Sequence, residues 1–285
     1  MAIIKFTDDK IIKQLRWVMI GTMLFSMVST LAGQSGIFWL HPETAIRGDG
    51  LSINNETNHT FEFFLGRGWQ TYLVANLVYF LGAFLLVSVL PKRAALITIF
   101  SFIFGHYFAG CNWLAVRWQL GIQGIMLYSF ILGLVIVLSA FPETDGKTDQ
   151  AIKGLRWVMA GTVLLDMTNT LLGQPAGYWH HPELVHEGNL ISRFFLIKGW
   201  YAYTFFWMIF ANCLIPIWLS SFLSRKWTLI CIFYFILVTF IGASNWFFYE
   251  WRMGMESPVI YGILLSVLIV WMSFSETIKK QSPNR

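Results

Sequence analysis

Asp166 places a carboxyl group inside a long apolar stretch of the sequence. A charge at the centre of a bilayer costs at least about 2.5 kcal/mol on insertion scales, so an intramembrane carboxylate has a partner or handles ions or protons. No Lys or Arg lies within a predicted membrane span. We therefore expect Asp166 to be protonated or solvated by water. Asn169 follows on the same side of a helix, and the two residues predict part of a substrate-binding site.

Two His-Pro-Glu tripeptides could support a second kind of chemistry. Residues two apart on an extended segment point the same way, so His41 with Glu43, and His181 with Glu183, could each supply two metal ligands or an acid/base pair. The alternative is a helix start, with Pro in the first turn and Glu near the positive end of the dipole. We favour the helix start, because no third ligand is defined by spacing.

Four amide side chains recur at matching positions near one side of the predicted bundle: Gln34, Gln174, Asn112 and Asn245. One hypothesis is that each asparagine meets the nearby glutamine in a polar pocket that binds substrate. The other is that each asparagine bonds across a helix interface beside a belt of tryptophans. Both hypotheses stay open, because a duplication preserves packing as readily as function.

The elements that position these residues come from a tandem duplication. LRWVMIGTMLFSMVSTLAGQSGIFWLHPE at 15–43 returns as LRWVMAGTVLLDMTNTLLGQPAGYWHHPE at 155–183. Two dipeptide matches extend the likeness along each half: Gly68-Trp69 with Gly199-Trp200, and Asn112-Trp113 with Asn245-Trp246. We predict two repeats, 1–145 and 146–285. Ser26 is the counterpart of Asp166, so only the second half carries this charge.

Composition indicates a membrane protein. Hydrophobic residues make up 56% of the 285 residues, charged residues 12%, and the mean hydropathy is +0.59. Soluble domains seldom have that balance. We predict an all-α polytopic integral membrane protein with eight transmembrane helices, at about 18–39, 69–90, 94–116, 122–141, 158–179, 200–221, 228–249 and 258–274. Four helices per repeat make the two repeats parallel, related by an axis along the membrane normal.

The basic residues predict the orientation. Fourteen Lys and Arg residues fall on one side of the predicted membrane and six on the other, which places both termini in the cytoplasm, in a bacterial inner membrane. This distribution explains the net charge of +5, so we expect no nucleic-acid partner. The N-terminus carries charges throughout and does not resemble a cleavable signal.

These features favour a transporter-like or solute-binding membrane protein, with a polar pocket between the two repeats that opens to the extracytoplasmic side. Asp166 would be its binding or coupling group. The alternatives are a membrane-embedded enzyme with a His/Glu site at the outer face, and a non-catalytic subunit that offers its aromatic surface to a membrane protein partner. Phosphate-binding glycine loops, GxSxG, HExxH and CxxC are absent from the sequence, so the identity of any cofactor stays unknown. The partners expected are the lipid bilayer and a small-molecule solute.

Overall fold

The computed structural model describes residues 9–45, 60–142, 146–187, 190–209, 223–254 and 256–279. These residues are mostly helical, and none of them forms a strand. The α-helices in this part of the chain are α1 Lys10–Ala32, α2 Thr60–Leu65, α3 Trp69–Val89, α4 Lys92–Asn112, α5 Gly121–Ala140, α6 Gly146–Leu172, α7 Leu190–Ile197, α8 Trp200–Ile209, α9 Arg225–Asn245 and α10 Glu256–Lys279.

Six helical segments of the described residues are long and apolar enough to cross a membrane, so the chain is an all-helical membrane protein. The segments are Lys10–Ala32, Trp69–Val89, Lys92–Ala115, Gly121–Ala140, Arg225–Phe248 and Glu256–Phe274. Two further spans were predicted. The span at 158–179 falls on α6, which carries several polar residues and is not among the six. The span at 200–221 lies partly outside the described residues, because α8 is described only as far as Ile209.

The chain divides into two compact units, Met1–Tyr128 and Ser129–Arg285. In the first unit α1 packs along α4 and also contacts α3. In the second unit α6 packs along α9 and also contacts α10 and α8. In each unit, the helix that begins the duplicated segment therefore packs against the helix that ends at the asparagine of the Asn-Trp pair.

An ion pair joins the N-termini of the packed helices in each unit. Asp9 caps α1 by accepting a hydrogen bond from the backbone N–H of Ile11 (3.0 Å). The same carboxylate pairs with Lys92 at the start of α4, at 2.6 Å. In the second unit Asp149, in the first turn of α6, pairs with Arg225 at the start of α9, at 2.7 Å. Charge and capping thus set the register at which each pair of helices begins.

The first helix of each half ends earlier than the sequence predicted. α6 ends at Leu172, and Pro175 then adopts extended backbone with ψ 147°, which no helix can include. A 3₁₀-helix, Ala176–Trp179, takes the place of the last turns of the predicted span. The first half does the same with Ser35 (ψ 158°) and the 3₁₀-helix Gly36–Trp39. The end of each unit at which α1 or α6 finishes is called the loop end.

Candidate functional site

Asp166 lies on the face of α6 that packs against α9. Its side chain is partly buried, and its carboxylate rests on Gly242. A Cβ added to Gly242 would lie 2.7 Å from both Cγ and Oδ2 of Asp166, closer than any real contact of that kind. Among the residues that the structure describes, none donates a hydrogen bond to this carboxylate or pairs with it as a cation. The missing side chain of Gly242 therefore leaves space for the Asp166 carboxylate, which has no basic partner in the described part of the chain.

Three other oxygen-bearing side chains lie in the region of this carboxylate. Tyr203 of α8 and Tyr261 of α10 are near enough to be influenced by its charge, and so is Glu187 in the loop after α6. The hydroxyl of Tyr261 is buried without a hydrogen-bond partner, and the side-chain oxygen of Asn245 is in the same state. Buried polar atoms are normally hydrogen-bonded, so two orphaned ones near a carboxylate mark a site that can accept a ligand.

Asn245 stands near Asp166 because of helical spacing. Gly242 and Asn245 are three residues apart on α9, so they share one face about one turn apart. On α6, Asn169 occupies the corresponding next turn and its Nδ2 donates to the backbone oxygen of Ala243 at 3.5 Å. The structure therefore brings the predicted residues Asp166, Asn169 and Asn245 into one region. It lies toward the loop end of α6, with Asp166 about 9 Å from the last residue by helix rise.

The first half lacks this arrangement at both contact positions. Counted from the duplicated segment, Ser26 stands for Asp166, and counted from the Asn-Trp pairs, Ala109 stands for Gly242. Ser26 is buried and carries no charge. The carboxylate and the glycine that makes room for it thus occur together in one half and are replaced together in the other.

The glutamines predicted to bind substrate are engaged by backbone instead. The Nε2 of Gln174 donates to the backbone oxygens of Thr170 (2.8 Å) and His186 (3.0 Å), while its Oε1 accepts from the N–H of His186 at 2.8 Å. The Nε2 of Gln34 donates to the backbone oxygen of Thr30 at 3.1 Å. Gln174 therefore holds the loop after α6, and a role of either glutamine in substrate binding stays a prediction.

The asparagines each end a helix beside a tryptophan that covers a glycine. Asn112 is the last residue of α4 and is partly buried. Next to it the Trp113 ring fills the space beside Gly33, and after Asn245 the Trp246 ring does the same at Gly173. In both units the helix then widens into a π-helical turn, a feature frequent at functional sites. Trp113 is only 4% exposed, and both hypotheses for Asn112 stay predictions. Asn245 also lies one turn from Gly242, on which the Asp166 carboxylate rests.

Each His-Pro-Glu tripeptide begins a short helix and also places its His and Glu side chains in contact. Pro42 and Pro182 each open a 3₁₀-helix with Glu in the first turn, which confirms the helix start. His41 Nδ1 also lies 3.2 Å from Glu43 Oε1. In the second copy His181 Nδ1 lies 3.1 Å from Glu183 Oε1, and all four side chains are about two-thirds exposed. No three His, Cys, Asp or Glu residues of the described chain are grouped so as to hold a metal ion. The proposed metal role stays a prediction.

The electrostatics of the second tripeptide are local. The pKa of Glu183 lies below its ordinary value, because its own backbone N–H and the side chain of His181 hydrogen-bond to the carboxylate. The pair therefore favours an ionised Glu183, as a capping acid at a helix start does. The lowered pKa of Glu183 is therefore explained by its place at the helix start.

The remaining intramembrane polar residues are dispersed. Asn76 is buried in α3 and its Nδ2 donates to the backbone oxygen of Tyr72 at 2.8 Å. His106 of α4 packs among aromatic rings, with its ring centroid 5.8 Å from that of Tyr79. Asn212 lies outside the described residues. In the described chain, these residues do not join the Asp166 region.

Sequence reasoning missed Gly242, Tyr203 and Tyr261. A signal existed for one of them, since the tyrosine three residues after each Gly-Trp pair recurs as Tyr72 and Tyr203. Both tyrosines are buried, and each hydroxyl is within hydrogen-bonding reach of the threonine that the two halves share, Thr30 or Thr170.

Comparisons with known proteins assign no family. No protein-family model, no curated protein and no solved structure matches the chain. The residues around Asp166 are therefore the basis on which a function can be assigned.

Proposed function

We propose that the chain is a transporter-like, solute-binding membrane protein whose binding group is Asp166. One observation carries the proposal: the carboxylate rests on a glycine that makes room for it, and no hydrogen-bond donor or cation among the described residues occupies it. Because an unpaired acid in a membrane helix is costly, its retention favours a role in binding or coupling over a role in packing.

The chemistry of the region favours a cation. Asp166, Glu187, the Asn245 side-chain oxygen and the Tyr261 hydroxyl offer anionic or neutral oxygens. Hard cations and ammonium groups take such ligands, and a proton can take the carboxylate itself. We therefore expect the solute to be a monovalent cation, an ammonium compound or a proton.

The proposed setting is a bilayer crossed eight times, by two parallel repeats of four helices. The six apolar segments, the polar α6 and the partly described α8 supply these spans. The excess of Lys and Arg on one side supports cytoplasmic termini in a bacterial inner membrane. In that orientation the loop end is extracytoplasmic, and Asp166 lies nearer to the outside than to the cytoplasm. A pocket shared by the two repeats stays a prediction.

The proposal is tested by cation-dependent stabilisation of the purified protein in mild detergent. Sodium, potassium, ammonium and choline chlorides are exchanged for one another at constant ionic strength and pH, and thermal unfolding is followed. A ligand at one hundred times its Kd stabilises the folded state by about 2.7 kcal/mol. We expect one of these cations to raise the unfolding temperature of the wild type and not that of Asp166→Asn.

Proton handling needs a second readout, which is proton flux into proteoliposomes that contain a pH-sensitive dye. Glu183→Gln is the matched control, because it removes an exposed carboxylate and should behave as the wild type in both assays. If no cation separates the wild type from Asp166→Asn and the two proteins give the same proton flux, the proposed function is wrong. If His181→Ala removes the cation-dependent stabilisation or the proton flux while Asp166→Asn keeps both, the outer-face enzyme is favoured instead.

A further inference from the structure

A groove of ≈ 740 Å³ runs along the outside of the first unit. It lies between Phe64 of α2 and the face of α3 that runs from Gln70 through Ala75 to Val78. Val78 is 67% exposed although α3 is one of the segments apolar enough to span a membrane. The groove therefore opens sideways, toward the hydrocarbon of a bilayer, and not into a water-filled interior.

The second unit fills the equivalent place with its own side chains. Counted from the Gly-Trp pairs, Phe195 corresponds to Phe64 and Phe206 corresponds to Ala75. Phe195 and Phe206 stack with 4.1 Å between ring centroids and 13° between planes. In the first unit the methyl group of Ala75 leaves the space of that second ring open. Gln70 and Val74 also correspond to aromatic residues, Tyr201 and Phe205, so the second unit is bulkier than the first at three lining positions.

The lining of the groove is almost entirely apolar, and its two polar residues lie near one end. Gln70 and Thr71 line it at the loop end, whereas Val74 and Val78 line it deeper along α3. Arg67 lies in the link between α2 and α3, four residues before Thr71; it is exposed, and its guanidinium lies 3.8 Å from the centroid of the Phe63 ring. Among the described residues no acidic side chain pairs with Arg67. A cation next to the loop end of an apolar groove matches an amphiphile with an anionic head.

We propose that this groove binds one anionic phospholipid, with an acyl chain along α3 beside Ala75 and its phosphate at Arg67. The acyl chain occupies the space that the Phe206 ring occupies in the second unit. It therefore fills the gap beside Ala75. The guanidinium suits a phosphate because it combines a fixed charge with several N–H donors. This site goes beyond the proposed solute site and does not depend on Asp166.

The test is native mass spectrometry of the full chain after exchange into detergent that contains either phosphatidylglycerol or phosphatidylcholine. We expect the wild type to retain one phosphatidylglycerol and to lose phosphatidylcholine under the same activation. Ala75→Phe should lose the bound lipid, because the new ring occupies the acyl channel. Phe206→Ala opens the equivalent place in the second unit, beside Lys198, and should raise the retained number from one to two.

Two variants distinguish binding of the lipid head group from binding of the acyl chain and from the solute site. Arg67→Gln should remove the preference for phosphatidylglycerol over phosphatidylcholine, and Asp166→Asn should retain lipid as the wild type does. Equal retention of phosphatidylglycerol by the wild type and Ala75→Phe would overturn the proposal, and so would a wild type that holds both lipids equally. If Ala75→Phe does not fold, the count on Phe206→Ala decides, since an unchanged count contradicts the role of the ring.

Discussion

The contact between Asp166 and Gly242 predicts that these two positions are energetically coupled. The first half of the chain has serine and alanine at the corresponding places, Ser26 and Ala109. We therefore expect Gly242→Ala to destabilise the wild type. We expect the same change to be tolerated when Asp166→Ser is introduced with it, because the double variant recreates the pair of the first half.

The magnitude follows from the geometry. A Cβ at position 242 would lie 2.7 Å from Cγ and from Oδ2 of Asp166, so the carboxylate or the helix must shift. Overpacking of this kind costs about 1–3 kcal/mol. Gly161→Ala is the matched control, because no atom lies within 4 Å of its added Cβ and it gains up to about 1 kcal/mol of helix propensity. The free energies of unfolding of the two variants should differ by about 1–3 kcal/mol.

The assay is thermal unfolding of the four proteins of the cycle in one mild detergent, followed by circular dichroism. In a chain of this size about 1 kcal/mol moves the midpoint by roughly 2 °C, so the expected difference is measurable. The coupling energy should be about 1–3 kcal/mol, with the cost of Gly242→Ala largely absent in the Asp166→Ser background. If the two single effects simply add, the carboxylate does not rest on Gly242 and the reasoning is refuted.

Three further changes test other contacts. Asp9→Asn keeps the helix cap but removes the ion pair with Lys92 (2.6 Å). Burial of Asp9 opposes ionisation, but Lys92 and the capping N–H groups outweigh it and hold the pKa of this carboxyl below 3.8. The stability it contributes is thus fully present above the ordinary pKa and is lost as pH falls through the lowered pKa, so the gap in unfolding midpoint between wild type and variant should close in strong acid. Gln174→Ala removes the hydrogen bonds to His186 and should speed hydrogen exchange of that amide, whereas unchanged protection would mean that something else holds the loop. His181→Ala should change the free energy of unfolding by less than about 0.5 kcal/mol, because its side chain is 66% exposed; a larger loss, reversed by added metal, would support the metal hypothesis.

Local signals in the sequence were sufficient for the class of fold and for several elements. Long apolar runs predicted membrane helices, and six segments bear this out. Proline at the first turn, with Glu behind it, predicted the short helices that Pro42 and Pro182 open. Such signals depend on a few consecutive residues, so they need no knowledge of what packs against them. The end of α6 was misjudged because hydropathy continues past Leu172 while the backbone does not stay helical.

Contacts between helices could not be predicted from the sequence, because they depend on how each helix is rotated and packed. Gly21 lies within α1 and Gly33 directly follows it, yet only Gly33 is covered by a tryptophan, Trp113.

The same limit applies to the functional sites. Asp166 was recognisable as an acid in an apolar stretch, but the glycine beneath it and the tyrosines near it come from other helices. Ala75 and Phe206 are unremarkable in sequence. Only the tertiary structure places the ring of Phe206 on Phe195 and leaves a groove beside Ala75, because a groove exists only where two helices approach and one side chain is too small to fill the space between them.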